Sequence, residues 1–441
     1  MPISRDDILR IIKEEKVRYI HLWFADINGR LRGLTIPESE LPDAFDRGVG
    51  FDGSSIEGFA RIEESDLLAV PDMNTFALLP NRIGEGRAAR FICDLKTPEG
   101  APFEGDTRYV LKRTLEKYAT ENYTFCFGPE VEYFYFANET TPVPVDLAGY
   151  FDDSVVDLGT QVRQQTAEAL MEMGIPIEVI HHEVAPSQHE IDLVYADALT
   201  MADRCLTCRF LVRAVARQMN LHASFMPKPV SGQNGTGMHT HQSVFQGNRN
   251  LFFDPIDSYH LSQFARSYMT GILKNIRAMT AVLNQTVNSY KRLVVGYEAP
   301  VYITWGQKNR SALIRVPRYR LGDEKATRIE LRSPDPTCNP YLAFSIMIAA
   351  GMDGVQKNLT PPPPIEENIY EMRMEALNDH GIEMLPGSLH EAIGETEKSE
   401  LVAKTLGEHV FRRFIANKKV EWNSYRTAVT DYEIREYYPI Y

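Results

Sequence analysis

The first hundred residues alternate short apolar and polar runs in a way that is typical of a small mixed domain. Ser4 is suited to cap an amphipathic helix that runs to Lys16. The apolar runs 19–25 and 31–36 flank Asn28-Gly29, a dipeptide that strongly favours a hairpin turn. Further strands are predicted near residues 76–79 and 90–94, and a linker rich in proline and glycine follows them. The pattern therefore predicts a first domain over residues 1–105.

Beyond residue 105, long helical segments alternate with runs that resemble strands. The pattern predicts helices over residues 107–120, 159–173, 196–219, 261–283 and 339–350. It predicts strands over residues 124–136, 177–179, 308–315 and 325–332. We therefore expect a second, larger domain over residues 106–441.

Two acidic residues lie on one face of the strand predicted at 124–136. Side chains on a strand alternate between its faces, so Glu130, Glu132 and Phe134 share a face. Like charges this close repel each other unless a cation lies between them. A solvated edge strand is the alternative, but the bulky residues beside the two acids make it awkward. We therefore predict that both glutamates bind a metal ion.

A glycine-rich stretch, residues 225–243, leads into His239 and His241. Its glycines suit a loop that bends sharply and approaches a ligand closely. Residues two apart on an extended segment point to one side, so the two rings share a face. This geometry can hold a metal with one ring and a nucleotide with the other.

Composition narrows the class of protein. The net charge of −13 argues against non-specific nucleic-acid binding. The five cysteines form no framework, which suits a reducing cytoplasm, and we interpret Cys205 and Cys208 as packing residues. The start of the chain does not resemble a signal peptide, and no apolar run approaches the length needed to span a membrane. We expect a cytoplasmic protein without nucleic-acid or membrane partners.

The acidic and basic residues together suggest one type of chemistry. Five glutamates and one histidine form an oxygen-rich set that suits Mg²⁺ or Mn²⁺ better than Zn²⁺: Glu130, Glu132, Glu183, Glu190, Glu330 and His239. Five arginines could stabilise the charge of a transferring phosphoryl group: Arg292, Arg310, Arg315, Arg328 and Arg332. Asp52 and Glu298 are left over as acids that could attract and deprotonate a cationic co-substrate. This inventory would support an ATP-dependent ligase that activates an acid and captures it with an amine.

Seven motifs, in the order of one family, carry a resemblance that spans nearly the whole chain. They are FDGSS (51–55), GPEVEY (128–133), HHEVAPSQHEID (181–192), KPVSGQNGTGMHTHQS (228–243), NSYKRLVVGYEAP (288–300), NRSALIR (309–315) and RIELRSPDPTCNPYLAF (328–344). The chain resembles glutamine synthetase of type I. The resemblance implies an α+β fold, with a small N-terminal β-grasp-like domain and a large catalytic domain whose curved antiparallel sheet is backed by helices.

The resemblance also implies substrates, cofactors and partners. The expected reaction makes L-glutamine from L-glutamate, ammonium and ATP through γ-glutamyl phosphate, with two or three Mg²⁺ or Mn²⁺ ions per site. The expected assembly is a dodecamer of two hexameric rings, with active sites between neighbouring subunits. A nitrogen-regulatory protein is a candidate partner.

Residue roles follow from the matching motifs. One metal would be held by Glu132, Glu183 and Glu190, and a second by Glu130, His239 and Glu330. The glutamate carboxylates would be held by Asn234, Gly235, Arg292 and Arg332. The nucleotide would be bound by Glu178, Tyr195, His241, Ser243, Arg315, Lys325 and Arg328.

The remaining roles concern the reacting groups. Asp52, from the adjacent subunit, would take a proton from ammonium, in a pocket lined by Tyr150 and Ser55. Glu298 lies in the flap, residues 288–300, which would close over the γ-glutamyl phosphate. Arg310 would stabilise the transferring phosphoryl group.

Several positions depart from the pattern or concern regulation. Val295 replaces a common proline in the flap, and Thr236 replaces a serine. The run 305–308 has no assigned role. The chain resembles the shorter, alpha branch of the type, so we predict no adenylylation at Tyr370. Arg61 resembles an arginine linked to feedback inhibition by glutamine, although it could instead be a surface arginine beside Glu63 and Glu64.

Other functions fit parts of the sequence. A γ-glutamyl ligase for a polyamine or another amine would use the same fold with a wider pocket. A catalytically silent homologue with a regulatory role should have lost metal or base residues, and all of the expected ones are present. A kinase that stops at the acyl phosphate would not need Asp52 and Glu298.

Overall fold

The computed structural model describes residues 3–56, 58, 66–81, 83, 87–153, 157–320, 322–367, 369 and 381–441. Arg61 and Tyr370, for which the sequence suggests regulatory roles, lie outside the described residues.

The N-terminal region forms a mixed sheet. Along the chain, one helix precedes its first hairpin and another follows it. Its strands are β1 (Tyr19–Ala25), β2 (Leu31–Pro37), β3 (Val49–Asp52), β4 (Asp66–Pro71), β5 (Ala77–Leu78) and β6 (Ala88–Lys96). Their order is β2-β1-β6-β4-β3, with β1 parallel to β6 and β5 pairing with β6. The helices are α1 (Arg5–Glu14), capped by the Ser4 side chain as predicted, and α2 (Leu41–Arg47).

The predicted turn between β1 and β2 is confirmed, and it anchors this sheet to the rest of the molecule. Gly29 has a φ of +70°, and a Cβ atom there would lie 2.6 Å from the Cα atom of Asn339. Only glycine therefore fits the turn without strain. The Asn339 side chain donates a hydrogen bond to the carbonyl of Asp26 (3.0 Å), and Arg209 donates to the carbonyl of Gly29 (3.3 Å).

The larger region is built on a second sheet. Its strands are β7 (Tyr123–Phe136), β8 (Ile177–His182), β9 (Gln188–Leu193), β10 (Ala196–Asp197), β11 (His222–Ser224), β12 (Met238–Gln246), β13 (Arg249–Asn250), β14 (Tyr302–Gly306), β15 (Ala312–Arg315) and β16 (Ile329–Leu331). The main path is β14-β15-β16-β12-β7-β9-β8. The predicted α+β fold is confirmed, and the pair β14–β15 is parallel, so this sheet is mixed.

The larger region also contains helices, several of which pack on this sheet. They are α3 (Thr107–Glu116), α4 (Thr160–Glu172), α5 (Ala198–Gln218), α6 (Gln263–Leu283), α7 (Ser289–Arg292), α8 (Pro340–Gln356), α9 (Leu389–Glu397), α10 (Glu400–Leu406), α11 (Glu408–Thr427) and α12 (Asp431–Tyr437). Val131, Tyr133 and Tyr135 of β7 belong to the same buried core as α5, so the other face of β7 is left for polar residues. Cys205 and Cys208 are buried in α5, which confirms their packing role. No helix in the described parts of the chain is both long and apolar enough to cross a membrane.

The strand β15 is shorter than the sequence predicts because residues before it bind another segment, and β16 is shorter because residues 324–326 form a 3-10 turn instead. The Trp305 indole donates to the carbonyl of Pro362 (2.7 Å), and the Asn309 side chain donates to the carbonyls of Ile365 (3.1 Å) and Glu367 (2.7 Å). The backbone amide of Lys308 donates to the Glu366 carboxylate at 2.8 Å. The run 305–308 therefore fastens the proline-rich segment to the sheet.

Candidate active site

Charged side chains meet on the exposed face of the sheet because the register of three antiparallel strands aligns them. Glu130 of β7 lies opposite Asp192 of β9 and opposite His239 of β12. Glu132 lies opposite Glu190 in the next row on the same face. The two-residue period that predicted a shared face for Glu130 and Glu132 is confirmed, and pairing doubles the number of acids on it.

These residues border a cavity of about 240 Å³. All six predicted metal ligands line it: Glu130, Glu132, Glu183, Glu190, His239 and Glu330. The four residues predicted to hold glutamate line it as well: Asn234, Gly235, Arg292 and Arg332. Residues from separate segments between positions 130 and 332 therefore share one space.

One predicted ligand set is closely packed. Glu130, His239 and Glu330 each offer a ligand atom, and these atoms lie within 4.8 Å of one another. The Nδ1 atom of His239 lies 3.1 Å from Glu130 Oε2 and 3.9 Å from Glu330 Oε1. His241 reaches the same carboxylate from its own side, with Nε2 at 2.7 Å from Glu130 Oε1. The prediction that both rings share a face is confirmed.

The second predicted set, Glu132, Glu183 and Glu190, is arranged less tightly. The Glu132 carboxylate accepts hydrogen bonds from the Gln188 side chain (2.9 Å) and from the backbone amide of Gly237 (2.8 Å). Glu190 instead forms a ligand-like group with His181 and Asp192, whose atoms lie within 4.8 Å of one another.

The sequence analysis assigned no roles to His181, Gln188 and Asp192. All three line the cavity. Asp192 follows Glu190 by two residues on β9, so the same alternation that identified Glu130 and Glu132 would have found it.

Three carboxyl groups of the cavity lie close to other acids, and their basic neighbours do not balance this negative charge. Burial, followed by the charge of Glu132, raises the pKa of Glu183 to about 8. Burial, followed by the charge of Glu130, raises the pKa of Asp192 to about 7, and the pKa of Glu190 is also raised well above its usual range by burial and by Glu132. Burial alone would also raise the pKa of Glu130, but hydrogen bonds with His239 and His241 hold it well below its usual range. A cluster of oxygen ligands that resists ionisation fits a divalent cation such as Mg²⁺ or Mn²⁺.

Arginines also line the cavity, beside the carboxylates. Arg332 is only 6 % exposed, and its Nη1 atom has no hydrogen-bond acceptor among the described residues. Its Nε atom lies 3.1 Å from Glu330 Oε1. The Arg292 guanidinium donates to the backbone carbonyls of Ser333 (2.7 Å) and Arg332 (3.1 Å). A buried guanidinium with an unused donor is suited to receive an anionic ligand.

The glycine loop, residues 231–237, approaches Arg292 closely. A Cβ atom at Gly237 would lie 2.6 Å from Arg292 Nη2 and 2.9 Å from His239 Nε2. A side chain there would displace both groups. Gly237 thus serves close approach and Gly232, with a φ of +78°, serves the bend, as the sequence predicts.

A second cavity of about 320 Å³ adjoins the first, and Glu130 and Asp192 line both. Six residues predicted to bind the nucleotide line it: Glu178, Tyr195, His241, Ser243, Lys325 and Arg328. Arg328 donates from Nε to His241 Nδ1 at 3.2 Å. The seventh, Arg315, lines the first cavity and donates to Glu330 at 2.8 Å.

Tyr150, Glu298 and Arg310 also line the first cavity. The Tyr150 ring lies 5.6 Å from the His181 ring, edge to face. Glu298 has a φ of +54°, a left-handed conformation that is uncommon for a residue with a side chain. Asp52 and Ser55 are exposed and line neither cavity within a single chain.

A different cluster lies behind the cavity, on the opposite face of β8 and β9. Asp146, Asp157, His182 and His189 are buried, and their ligand atoms lie within 4.8 Å of one another. Arg163 of α4 contacts both types of residue. Its Nη1 atom lies 2.7 Å from His189 Nδ1, and its Nη2 atom lies 2.9 Å from Asp157 Oδ2. Because guanidinium can only donate, Nδ1 must accept, and the proton of His189 sits on Nε2. We therefore assign no metal to this rear cluster.

Comparison with known proteins gives consistent matches over the whole chain. Residues 16–98 match the family model described as glutamine synthetase, beta-Grasp domain, and residues 104–437 match glutamine synthetase, catalytic domain. The glutamine synthetase of Thermotoga maritima is 49% identical over 436 residues, which cover 98% of this chain and 99% of the relative. That of Thermus thermophilus is 47% identical over 449 residues and covers 100% of both chains.

Solved structures are similar as well. A structure titled GmaS/ADP complex-Conformation 1 superposes with a TM-score of 0.89 at 30% identity, covering 98% of this chain and 99% of that one. A cryo-electron-microscopy structure of Plasmodium falciparum glutamine synthetase gives a TM-score of 0.88 at 25% identity, covering 99% of each chain.

Proposed function

The chain belongs to the glutamine synthetase family, and from that premise we propose how its two cavities make L-glutamine from L-glutamate, ammonium and ATP. It is a glutamate–ammonia ligase that releases ADP and phosphate. The observation that supports the site assignment best is the meeting of the carboxylate rows with a buried, unsatisfied guanidinium, Arg332, in one cavity.

The carboxylate rows would hold the divalent metal that the family uses. We assign two or three Mg²⁺ or Mn²⁺ ions to this site, one near Glu132, Glu183 and Glu190 and another near Glu130, His239 and Glu330. Bound metal supplies positive charge for the phosphoryl oxygens. The hydrogen bonds from Gln188 and Gly237 fix the Glu132 carboxylate before any cation arrives.

Glutamate and ATP occupy the two adjoining cavities. L-glutamate lies with its carboxylates against Arg332 and Arg292, where Asn234 and Gly235 of the glycine loop complete the contact. ATP occupies the second cavity, bound by Glu178, Tyr195, His241, Ser243, Lys325 and Arg328, and Arg315 lies toward its phosphates. Because the cavities meet at Glu130, the γ-phosphate points toward the glutamate side chain.

The reaction has two steps. The γ-carboxylate of glutamate attacks the γ-phosphorus of ATP, ADP leaves, and Arg310 stabilises the transferring phosphoryl group. Asp52 then takes a proton from ammonium in a pocket lined by Tyr150 and Ser55. Ammonia attacks the acyl carbon, the bond to the phosphate oxygen breaks, and one proton passes from the nitrogen to the phosphate that leaves. Glu298 and its flap exclude water during this interval.

The second step requires a neighbouring subunit in this scheme. Asp52 and Ser55 lie outside both cavities of their own chain, which supports the assignment of the Asp52 loop to an adjacent subunit. We propose a homo-oligomer, a dodecamer of two hexameric rings.

Mixing two variants tests this arrangement. Reassembled mixtures of Asp52→Asn and Glu298→Ala subunits should regain activity that neither variant has alone, because some sites receive an intact Asp52 from one subunit and an intact Glu298 from its neighbour. Mixtures that form hybrid oligomers yet stay inactive would refute this arrangement.

One assay tests the activity. ATP turnover with glutamate and Mg²⁺ should require ammonium, and putrescine or ethanolamine should replace it poorly. The rival polyamine ligase is not favoured, since relatives at 47–49% identity are named glutamine synthetase. Equal turnover with a larger amine would revive it, and no turnover with any amine would favour a silent homologue.

Location and regulation stay predictions. We propose a cytoplasmic enzyme, with a nitrogen-regulatory protein as a candidate partner. If Arg61 transmits feedback inhibition, Arg61→Ala should reduce inhibition by glutamine. The absence of an AMP adduct on Tyr370 in nitrogen-replete cells would agree with the predicted lack of adenylylation.

A further inference from the structure

One lysine lies between the two loops that enclose the proposed glutamate site. The Lys228 ammonium donates a hydrogen bond to the backbone carbonyl of Gln233 in the glycine loop. The same ammonium lies 3.6 Å from the centre of the Tyr297 ring in the flap. A lysine this close to an aromatic face is attracted by the ring quadrupole. Gln233 and Tyr297 immediately precede Asn234 and Glu298, which both line the cavity.

The backbone of Lys228 is fixed independently of this contact. Its amide donates to the Asn288 side chain at 2.7 Å, and Asn288 donates back to the Lys228 carbonyl at 3.1 Å. Asn288 begins the flap, whereas Tyr297 lies near its tip. The backbone of Lys228 therefore holds the base of the flap, and its side chain holds the tip.

The surroundings of Lys228 favour the ring contact. Both Lys228 and Tyr297 are half-buried, whereas Val294, Val295, Gly296 and Glu298 around Tyr297 are exposed. Burial, followed by the charge of Arg292, lowers the pKa of Lys228. Partial loss of water strengthens a cation–aromatic contact. Tyr297 is thus the inward anchor of an otherwise exposed flap tip.

We propose that Lys228 is a positioning residue that latches the flap tip onto the glycine loop and so keeps water away from γ-glutamyl phosphate. The proposal rests on the proposed function, because it requires that intermediate. Without the latch, the oxygen of water attacks the acyl carbon and the bond to the phosphate oxygen breaks. Glutamate is then regenerated and phosphate is released. ADP then accumulates without a matching amount of glutamine.

The test measures ADP and glutamine formed together, at saturating glutamate, ammonium, ATP and Mg²⁺. Wild-type enzyme should give close to one ADP per glutamine, so the quantity to compare is the excess of ADP over glutamine, divided by glutamine. Lys228→Met and Tyr297→Leu should each raise this excess by about threefold to tenfold, the range expected for losing one partly buried contact of this type. Lys228→Arg and Tyr297→Phe should stay near the wild-type ratio, since each keeps a cation or a ring.

A double variant and a control make the result specific. Lys228→Met combined with Tyr297→Leu should uncouple no more than the worse single variant, because both remove the same contact. Lys404→Met removes an exposed lysine on α10 and should leave the ratio unchanged. Melting temperatures of all variants show whether a variant is unfolded. Unfolding lowers the rate of the reaction but does not change the ratio of ADP to glutamine, so it can be told apart from uncoupling.

Two results would overturn the latch. An excess of ADP equal to that of wild type in both Lys228→Met and Tyr297→Leu would exclude it, as would effects that multiply in the double variant. If instead wild-type enzyme forms no glutamine from glutamate, ammonium and ATP, the proposed function fails first.

Discussion

The two faces of β8 and β9 carry clusters that look alike in composition and differ in charge balance. On the front face, Glu190 and Asp192 oppose Glu132 and Glu130, and burial with mutual repulsion raises the pKa of Glu190 and of Asp192. On the rear face, the rear cluster has its own cation, Arg163. Residues adjacent in sequence, such as His189 and Glu190, thus belong to opposite electrostatic settings.

Charge balance distinguishes a binding site from a structural network in this protein. Both clusters consist of histidines and acids within metal-ligand distance. The rear one is neutralised by protein groups, so a cation would add repulsion from the guanidinium. In the front one, Glu183, Glu190 and Asp192 are crowded by other acids, and the divalent cation that we propose would supply the missing positive charge. Uncompensated burial, and not residue type, marks the functional cluster.

The strongest test removes one front acid. Glu190→Gln should lower the rate of glutamine formation by about a thousandfold, because a lost ligand weakens the charge that stabilises the transition state. The same change should not lower the melting temperature of the metal-free protein at pH 8, since it relieves repulsion. Steady-state kinetics and thermal melting with a chelator measure the two effects. A variant that is both destabilised and fully active would reverse our interpretation of the front face.

The matching change on the rear face should have the opposite profile. Asp157→Asn leaves Arg163 buried without its carboxylate, which should cost about 3–5 kcal/mol of unfolding free energy. The folded fraction should keep a rate within a few-fold of wild type. Urea denaturation gives the stability, and activity per folded molecule gives the second value. If stability is unchanged, the rear ion pair is not the balancing element that we infer.

The smallest effect is a pH dependence of the metal-free protein. The carboxyls of Glu183 and Asp192 have folded pKa values of about 8 and about 7, above the ordinary values of 4.5 and 3.8. The folded state therefore binds more protons than the unfolded state between these limits, and stability falls as pH rises through that window. Below the ordinary values the two groups have no effect.

Magnesium should reverse this trend because it binds the ionised carboxylates. The difference in melting temperature between Mg²⁺-saturated and chelator-treated protein should grow from pH 5 to pH 8. A difference that is the same at every pH would show that these carboxyls are ionised in the metal-free protein.

Much of the site could be predicted from local patterns. The two-residue period placed Glu130 with Glu132 and His239 with His241, and both pairs face the cavities. Asp192 follows the same rule, two residues after Glu190, although the sequence prediction does not include it. No local pattern could reveal Arg163 beside His189, since a helix and a strand 26 positions apart supply them. The contact of Lys228 with Tyr297 joins two loops and was invisible for the same reason.

The amino-acid sequence alone specifies the chemistry of the site, because it sets the types and the spacing of the acids, arginines and glycines. It also specifies the strands and turns, which depend on neighbouring residues. Tertiary structure alone decided which groups share a space, which acids are balanced by protein charges, and which arginine donor is left unused. The physical reason is range. Alternation and turn preference act over a few residues, whereas burial and charge compensation depend on segments that only folding brings together.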